Sequence, residues 1–343
     1  MKLTIGKKTP KLISASVLRT LNTGADEFNC LVEWRPGIDR EFDELVKYGS
    51  LADVTISIDD ERIFTGYKYR TSPGLTTGGN SVQLGGYSKT YPLIMSNPKT
   101  QREHLNSSLR EISKEYCDIF GISVRSQNVE AELDEKFDDV KISAQSTIFS
   151  FLQDLARQRA ILTSSDIYGN LLYLRPNINQ KPIGSIIEGQ GSSIPKTDKY
   201  SASFDDTKVF QNYLAVNDSP FAFILSDPEG VSKDTRIRIP SFKTIVMNSL
   251  IEGAAQKAVD FARNQALVQA MMMPIEVNSW YSKKNQLYRE GELISLVSQT
   301  LFIPDGYTFL IVSVEYNLDS RGEWAVLNLA PPSLFTGDEI EIP

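Results

Sequence analysis

The chain is poor in the residues that most chemistry needs. In 343 residues it has one histidine, His104, and two cysteines, Cys30 and Cys117. One imidazole cannot build a histidine-based zinc site, and two thiols so far apart in sequence make neither a metal spacing nor a disulfide framework. Both cysteines read as reduced, buried thiols of a cytosol-made protein. No Gly-x-Ser-x-Gly elbow occurs, so a triad around His104 has no nucleophile, and the histidine reads as a surface or helix-start residue. No apolar run is long enough to cross a bilayer, and the opening Met1-Lys-Leu-Thr-Ile-Gly-Lys-Lys has no signal-peptide h-region, so export by the general secretory route is not expected. Positive charge is also short. There are 36 Lys and Arg against 43 Asp and Glu, a formal net charge of −7. A protein built to clamp phosphates is usually basic, whereas a wall past which DNA slides can be acidic.

What is present is an ordinary globular composition, 41% hydrophobic, in a chain long enough for about two to three domains. Within it one block occurs twice. The first copy runs Val54-Thr-Ile-Ser-Ile58, Ile63-Phe-Thr-Gly-Tyr-Lys-Tyr69, Ser81-Val-Gln-Leu84. The second runs Leu293-Ile-Ser-Leu-Val-Ser298, Tyr307-Thr-Phe-Leu-Ile-Val-Ser-Val-Glu-Tyr316, Gly322-Glu-Trp-Ala-Val-Leu-Asn-Leu329. Each copy is a strand, a turn, a longer strand, a Gly-containing loop and a closing strand. One subunit carrying two such units can fill two places in a ring, and three subunits fill six.

Elsewhere, alternation predicts two strands over 11–34, parted by the turn Asn22-Thr-Gly-Ala-Asp26. Asp59-Asp-Glu-Arg62 is a hairpin turn, and Gly66 marks a bulge or a close backbone approach. Ser108-Leu-Arg-Glu111 is a capping box opening a helix that Gly121 ends. Residues 128–139 read as a solvated acidic loop. A second helix is expected over 146–160 with Ser146 as N-cap, then a hairpin from Ile161–Ser165 to Leu171–Leu174. Residues 218–243, with three prolines, read as irregular, and an Ala-rich helix is expected over 247–271.

Several of these residues together resemble the baseplate hub proteins of Mu-like contractile phage tails. Those are similar in fold to the T-even hub protein and to the N-terminal part of the type VI secretion spike protein. The segments that carry the resemblance are Ile63-Phe-Thr-Gly-Tyr67 with Gly86-Tyr-Ser-Lys-Thr-Tyr-Pro-Leu-Ile94, and Tyr200-Ser-Ala-Ser-Phe-Asp-Asp-Thr-Lys-Val-Phe210. A third is Pro274-Ile-Glu-Val-Asn-Ser-Trp-Tyr281 with Leu287-Tyr-Arg-Glu-Gly-Glu-Leu293, and the closing strands are the fourth. It spans about 12–332. Pro92 stands where the pattern has Asp, Ser279-Trp280 replaces Gly-Trp, and Tyr288-Arg-Glu-Gly replaces Trp-x-x-Asn.

The resemblance implies an α+β, mainly β fold with two similar small β-barrel tube domains and an inserted α+β domain. The expected division is a first tube domain at 1–95, the α+β domain at 96–178 and a linker or loop at 179–200. The second tube domain is expected from 201–216 and 272–335, an irregular insertion with a helix at 217–271, and a tail at 336–343. It further implies a structural homotrimer in the virion's tail baseplate, assembled in the host bacterial cytoplasm. Its partners would be itself, a central spike protein, a tail tube or tube-initiator protein, and wedge and tape-measure proteins. DNA would pass without specific binding, and no membrane insertion is implied. No catalytic, cofactor-binding or metal residue is expected.

The rival reading is a carbohydrate-processing or cell-wall-binding tail protein, in which the 128–139 loop and Asp205-Asp206 line a sugar groove. A stand-alone β-rich binding module is a third. Against the first rival, Asp59-Asp60-Glu61 and Asp205-Asp206 sit where turn chemistry favours Asp, and Asp134-Glu135 with Asp138-Asp139 lack the calcium-loop order. Gly189-Gln-Gly191 leads to no helix and reads as a loop, not a dinucleotide site. Trp280, Tyr281 and Tyr288 with Lys283 and Lys284 read as barrel core beside a solvated turn rather than a nucleic-acid patch.

Overall fold

The computed structural model describes residues 1–76, 79–188, 197–217, 229–247, 253–282 and 285–335. The expected tail 336–343, the Gly189–Gly191 pair, and Lys283 with Lys284 lie outside these residues. The chain opens with β1 (Lys2–Ile5), β2 (Leu12–Thr20), β3 (Glu27–Glu33), α1 (Arg40–Val46), β4 (Asp53–Ile58), β5 (Glu61–Thr76) and β6 (Gly79–Ser88). The middle holds α2 (Tyr91–Met95), β7 (Arg102–Ser108), α3 (Leu109–Asp118), β8 (Val124–Gln127), α4 (Glu130–Asp134), β9 (Lys136–Ile142), α5 (Ile148–Arg157), β10 (Leu162–Ser165) and β11 (Leu171–Leu174). Then come β12 (Ser185–Ile187), β13 (Thr197–Tyr200), β14 (Ser203–Phe204), β15 (Asn212–Asn217), β16 (Gly230–Lys233), β17 (Phe242–Met247), α6 (Ala254–Ala270), β18 (Met271–Val277), β19 (Leu293–Ser298), β20 (Ile303–Asp319) and β21 (Gly322–Ala330).

The molecule is mainly β. The first six strands pair in the order β1-β4-β5-β6-β3-β2, and the last set pairs as β12-β19-β20-β21-β18-β13, with β14 continuing β13 along β18. Both sets therefore share one order: first, fourth, fifth, sixth, third, second. They differ at the rim, where β1 runs antiparallel to β4 and β12 runs parallel to β19. The irregularities repeat as well. The long hairpin is bulged between Lys68 and Arg70 in the first unit and between Ile311 and Ser313 in the second. The second strand slips between Leu12 and Ser14 in one unit and between Thr197 and Lys199 in the other. A bulge turns and twists the strand that carries it, so matched bulges mean matched curvature.

Two separate closed barrels were expected, and here the structure differs. Among the described residues neither set of pairings closes on itself. Instead β2 pairs antiparallel with β20, from Ala15 opposite Leu318 to Thr20 opposite Ser313, and joins both units into one 13-stranded sheet. The cause is strand length. β20 has 17 residues, and β19 covers only its Ile303–Leu310 part, which leaves the rest of that edge for β2. The two inner faces share one core, with Val17, Phe28 and Phe64 from the first unit and Ile275, Trp280, Phe309 and Tyr316 from the second. Phe28 and Phe64 meet edge-on at 5.2 Å, a favourable aromatic geometry. The stretch expected as a linker at 179–200 carries β12 and β13, and Ile186 is buried. Within 201–216 only β14 lies on the large sheet. β15 pairs with β16 and β17 in a three-stranded sheet under α6, where Ala254, Ala255 and Ala258 are buried.

The middle segment has its own core, from Leu93 to Tyr173. Ser108 and Glu111 form both bonds of the capping box, satisfying two orphan N–H groups of α3. The N-cap of α5 is Thr147 rather than Ser146, its hydroxyl accepting from Ser150 N–H at 3.1 Å. The acidic stretch 128–139 is not a loop. Val129, Leu133 and Phe137 recur at spacing four, are fully buried, and draw it into α4 and β9.

Candidate functional site

The residues that could carry catalysis do not converge. His104 lies in β7 and is buried, not at the surface. Its Nε2 is 2.9 Å from the Tyr116 hydroxyl, its ring stacks on Phe151, and burial lowers its pKa. No serine or cysteine nucleophile contacts it among the described residues. Asp59 and Asp60 hold left-handed turn conformations, with φ of 47° and 65°. Asp205 accepts from Thr207 N–H at 3.2 Å and so caps a short helical turn. Asp134 pairs with Arg110, and Asp139 with Lys141 at 3.3 Å. Asp134, Asp139 and Asp205 thus each have a structural partner close in the fold. Among the described residues no group of three or more His, Cys, Asp and Glu could hold a metal ion. Trp280 and Tyr288 are fully buried, and Trp280 Nε1 donates to the Asn317 carbonyl at 2.9 Å. They are core residues.

The feature with distinctive geometry is the joint where β2 meets β20. Its backbone ladder continues into Leu21 N–H donating to the Val312 carbonyl at 2.9 Å. Above it, Ser16 Oγ donates to Glu315 at 2.7 Å. Beside it lies a buried ionic cluster. Arg19 reaches Glu290 with Nε at 2.9 Å, Asp26 with Nη1 at 3.2 Å, and the Ile63 carbonyl at 2.8 Å. Asp26 also accepts from Ser165 Oγ at 2.7 Å and from Thr20 N–H at 3.2 Å. One network thus ties the first unit, the second unit and the middle segment. Burial pushes the Asp26 carboxyl up to about 6, against the pull of Arg19. Burial opposes the Arg19 charge, but Glu290 and Asp26 outweigh it and raise its pKa.

Each unit repeats the other, so the joint has an equivalent place, and among the described residues nothing fills it. In the first unit β4 covers β5 only from Glu61 to Tyr67, and among the described residues no strand pairs with that edge of β5 beyond it. In the second unit the outer edge of β13 and β14 also pairs with nothing among the described residues. A groove of about 630 Å³ opens on the face of β5 that carries Tyr69, Thr71 and Pro73, bounded by Val82 of β6, Trp34, Lys47, Tyr48 and Leu51. Tyr48 and Leu75 are largely exposed, and the Thr71 hydroxyl is buried without a hydrogen-bond partner. Sequence reasoning found the repeat but not this edge, because pairing between β2 and β20 leaves no local signal.

Comparison with known proteins agrees with the sequence reading. The family described as "Baseplate hub protein gp44-like, second domain" matches residues 95–175, and "Mu phage baseplate assembly protein GpP, fourth domain" matches residues 252–338. The baseplate hub protein gp44 of Escherichia phage Mu is 21% identical over 290 residues, covering 82% of this chain and 74% of gp44. The 43 kDa tail protein of prophage MuSo2 from Shewanella oneidensis has a similar fold, with a TM-score of 0.79 and 22% identity over 97% of this chain and 99% of that one. A tail protein from Neisseria meningitidis MC58 superimposes with a TM-score of 0.80 at 16% identity, covering 98% of each chain. The resemblance to Mu-like baseplate hub proteins holds.

Proposed function

We propose that this chain, a relative of the Mu-like baseplate hub proteins, forms a trimeric ring at the centre of a contractile tail. The ring joins the tail tube to the central spike, and DNA passes through its bore. The observation that carries this reading is the repeated unit, with the same strand order and the same bulges in both copies. Two equivalent units joined side by side supply two adjacent places, and three chains supply six. Closing the ring covers the free edges of β5 and of β13 and β14, which removes two templates for aggregation. The first unit near 1–95, and a second unit made of β12 to β14 with β18 to β21, build the ring, the segment near 96–178 stands beside it, and assembly takes place in the host cytoplasm. The partners are the chain itself, the spike, the tube or its initiator, and neighbouring baseplate proteins.

The protein is a structural part, with no catalytic, cofactor-binding or metal residue. The sugar-cleaving alternative needs two carboxylates facing across a cleft, whereas Asp205 serves as a cap and 128–139 packs through Leu133 and Phe137. The test is the mass of the purified protein by light scattering and native mass spectrometry over a concentration series. Three chains per particle are expected. A protein that stays monomeric at the highest concentration, or assembles with a number not divisible by three, overturns the ring.

A further inference from the structure

We infer that the uncovered edge of β5, from Arg70 to Leu75, is the docking site for the segment Tyr200–Asp205 of a second copy of this chain, which runs from the end of β13 through β14 to the cap residue Asp205, in a register that the chain's own joint dictates. The inference rests on the ring reading and gives it a surface. Ala15 of β2 lies opposite Cys30 of β3 at the place where Tyr200 of β13 lies opposite Ile275 of β18, each one step past the same slip. Tyr200 is therefore the counterpart of Ala15. On the receiving strand, the bulge ends at Arg70 in one unit and at Ser313 in the other, and the hairpin closes at Thr76 and at Asp319. Leu75 is therefore the counterpart of Leu318. Within the chain Ala15 sits opposite Leu318 and Thr20 opposite Ser313. Between chains, Tyr200 should sit opposite Leu75, Ser203 opposite Ser72, and Asp205 opposite Arg70.

The surfaces fit this occupant. Ser72, Pro73, Gly74 and Leu75 are exposed, and so are Ser201 and Ser203. Leu75 is 81% exposed, a large apolar side chain at the position where Leu318 packs against the shared core. The groove of about 630 Å³ opens beside this edge, on the face of β5 that carries Tyr69, Thr71 and Pro73. Asp205 and Arg70 are of opposite charge, which favours them as cross-strand neighbours. The bonded pairs alternate along an antiparallel ladder. Counting from the bonded Leu21–Val312 pair, Ala202 and Pro73 fall at a bonded position and Ser203 and Ser72 at a non-bonded one. Pro73 has no N–H, so that pair holds one bond where its counterpart holds two. The same lack discourages stray strands from adding to β5 in the free chain.

The experiment is disulfide trapping in the full chain. Side chains approach more closely at non-bonded pairs, so Ser203→Cys with Ser72→Cys is the matched pair. Ser203→Cys with Gly74→Cys and Ser203→Cys with Arg70→Cys test registers displaced by two residues either way. Cys30 and Cys117 are buried and interfere little. Under mild oxidation the matched pair should run as covalent dimers and trimers on a non-reducing gel, at least fivefold more than either displaced pair or either single variant. Mass is measured on the same samples. Particles of three chains with no matched cross-link, or with a displaced pair cross-linking better, overturn this docking surface and leave the ring standing. Absence of both trimer and cross-link overturns the two together.

Discussion

Arg19 is almost wholly buried and faces two carboxylates, Asp26 and Glu290, from different parts of the chain. Its removal leaves both acids buried without a counter-charge, a loss on the order of 3–5 kcal/mol. Arg19→Met should therefore lower the urea midpoint strongly. The triple variant with Asp26→Asn and Glu290→Gln should recover most of that loss, because no unpaired charge remains. The cluster also sets a pH dependence. Asp26 has its carboxyl raised from 3.8 to about 6 on folding, so the folded chain holds this proton where the unfolded chain has released it. The stabilisation is complete below about pH 4 and fades as pH rises through about 6. Relative to Asp26→Asn, the wild type should lose about 1–3 kcal/mol between those limits. Thermal unfolding of both proteins across that range measures it, and parallel curves would refute the assignment.

At the scale of elements, the two long hairpins were legible in the sequence because their apolar residues alternate over many positions. Val54, Ile56 and Ile58 are all buried, as are Ala325, Leu327 and Leu329. Gly66 was readable too. A Cβ there would lie 2.1 Å from the Tyr87 carbonyl oxygen, so β5 and β6 cross more closely than any side chain permits. Gly66→Ala should cost about 1–3 kcal/mol through forced separation of the strands, read as a lower urea midpoint with unchanged slope. The capping box of α3 was equally plain, since its two partners are three residues apart. β12 and β13 were missed because three or four residues are too few for a period, and only their pairing with β19 and β18 makes them strands. The joint was missed for a stronger reason. Ser16 and Glu315 are 299 residues apart, and no local propensity selects one edge of β20 over another. The same holds for the buried ionic cluster, whose members Arg19, Asp26 and Glu290 meet only through the tertiary fold.

For the whole molecule, charge is the property that bears most directly on a conduit. A net charge of −7 per chain becomes threefold larger in a ring of three. A bore that DNA must cross quickly gains nothing from Lys and Arg, since each neutralised phosphate releases counterions and adds affinity. The assembled ring should bind duplex DNA weakly at low salt and show a shallow dependence on salt concentration. Tight binding that weakens steeply with salt would mean a basic bore inside an acidic chain, and would separate the conduit role from the net charge.

The joint between β2 and β20 also has a consequence in time. The first unit has all six of its strands once Ser88 has been made, and it can fold while the ribosome is still working. Its partner strand β20 ends at Asp319, close to the end of the described chain. While residues 89–302 are being made, then, a nearly finished sheet presents β2 as a bare edge with nothing yet available to cover it. Long-range pairing of this kind is slow, and bare edges recruit strands from other nascent chains. The middle segment is made in that interval, and in the folded chain its Ser165 donates to Asp26 beside β2. The order of the chain thus makes the segment that neighbours the vulnerable edge available before the strand that covers it.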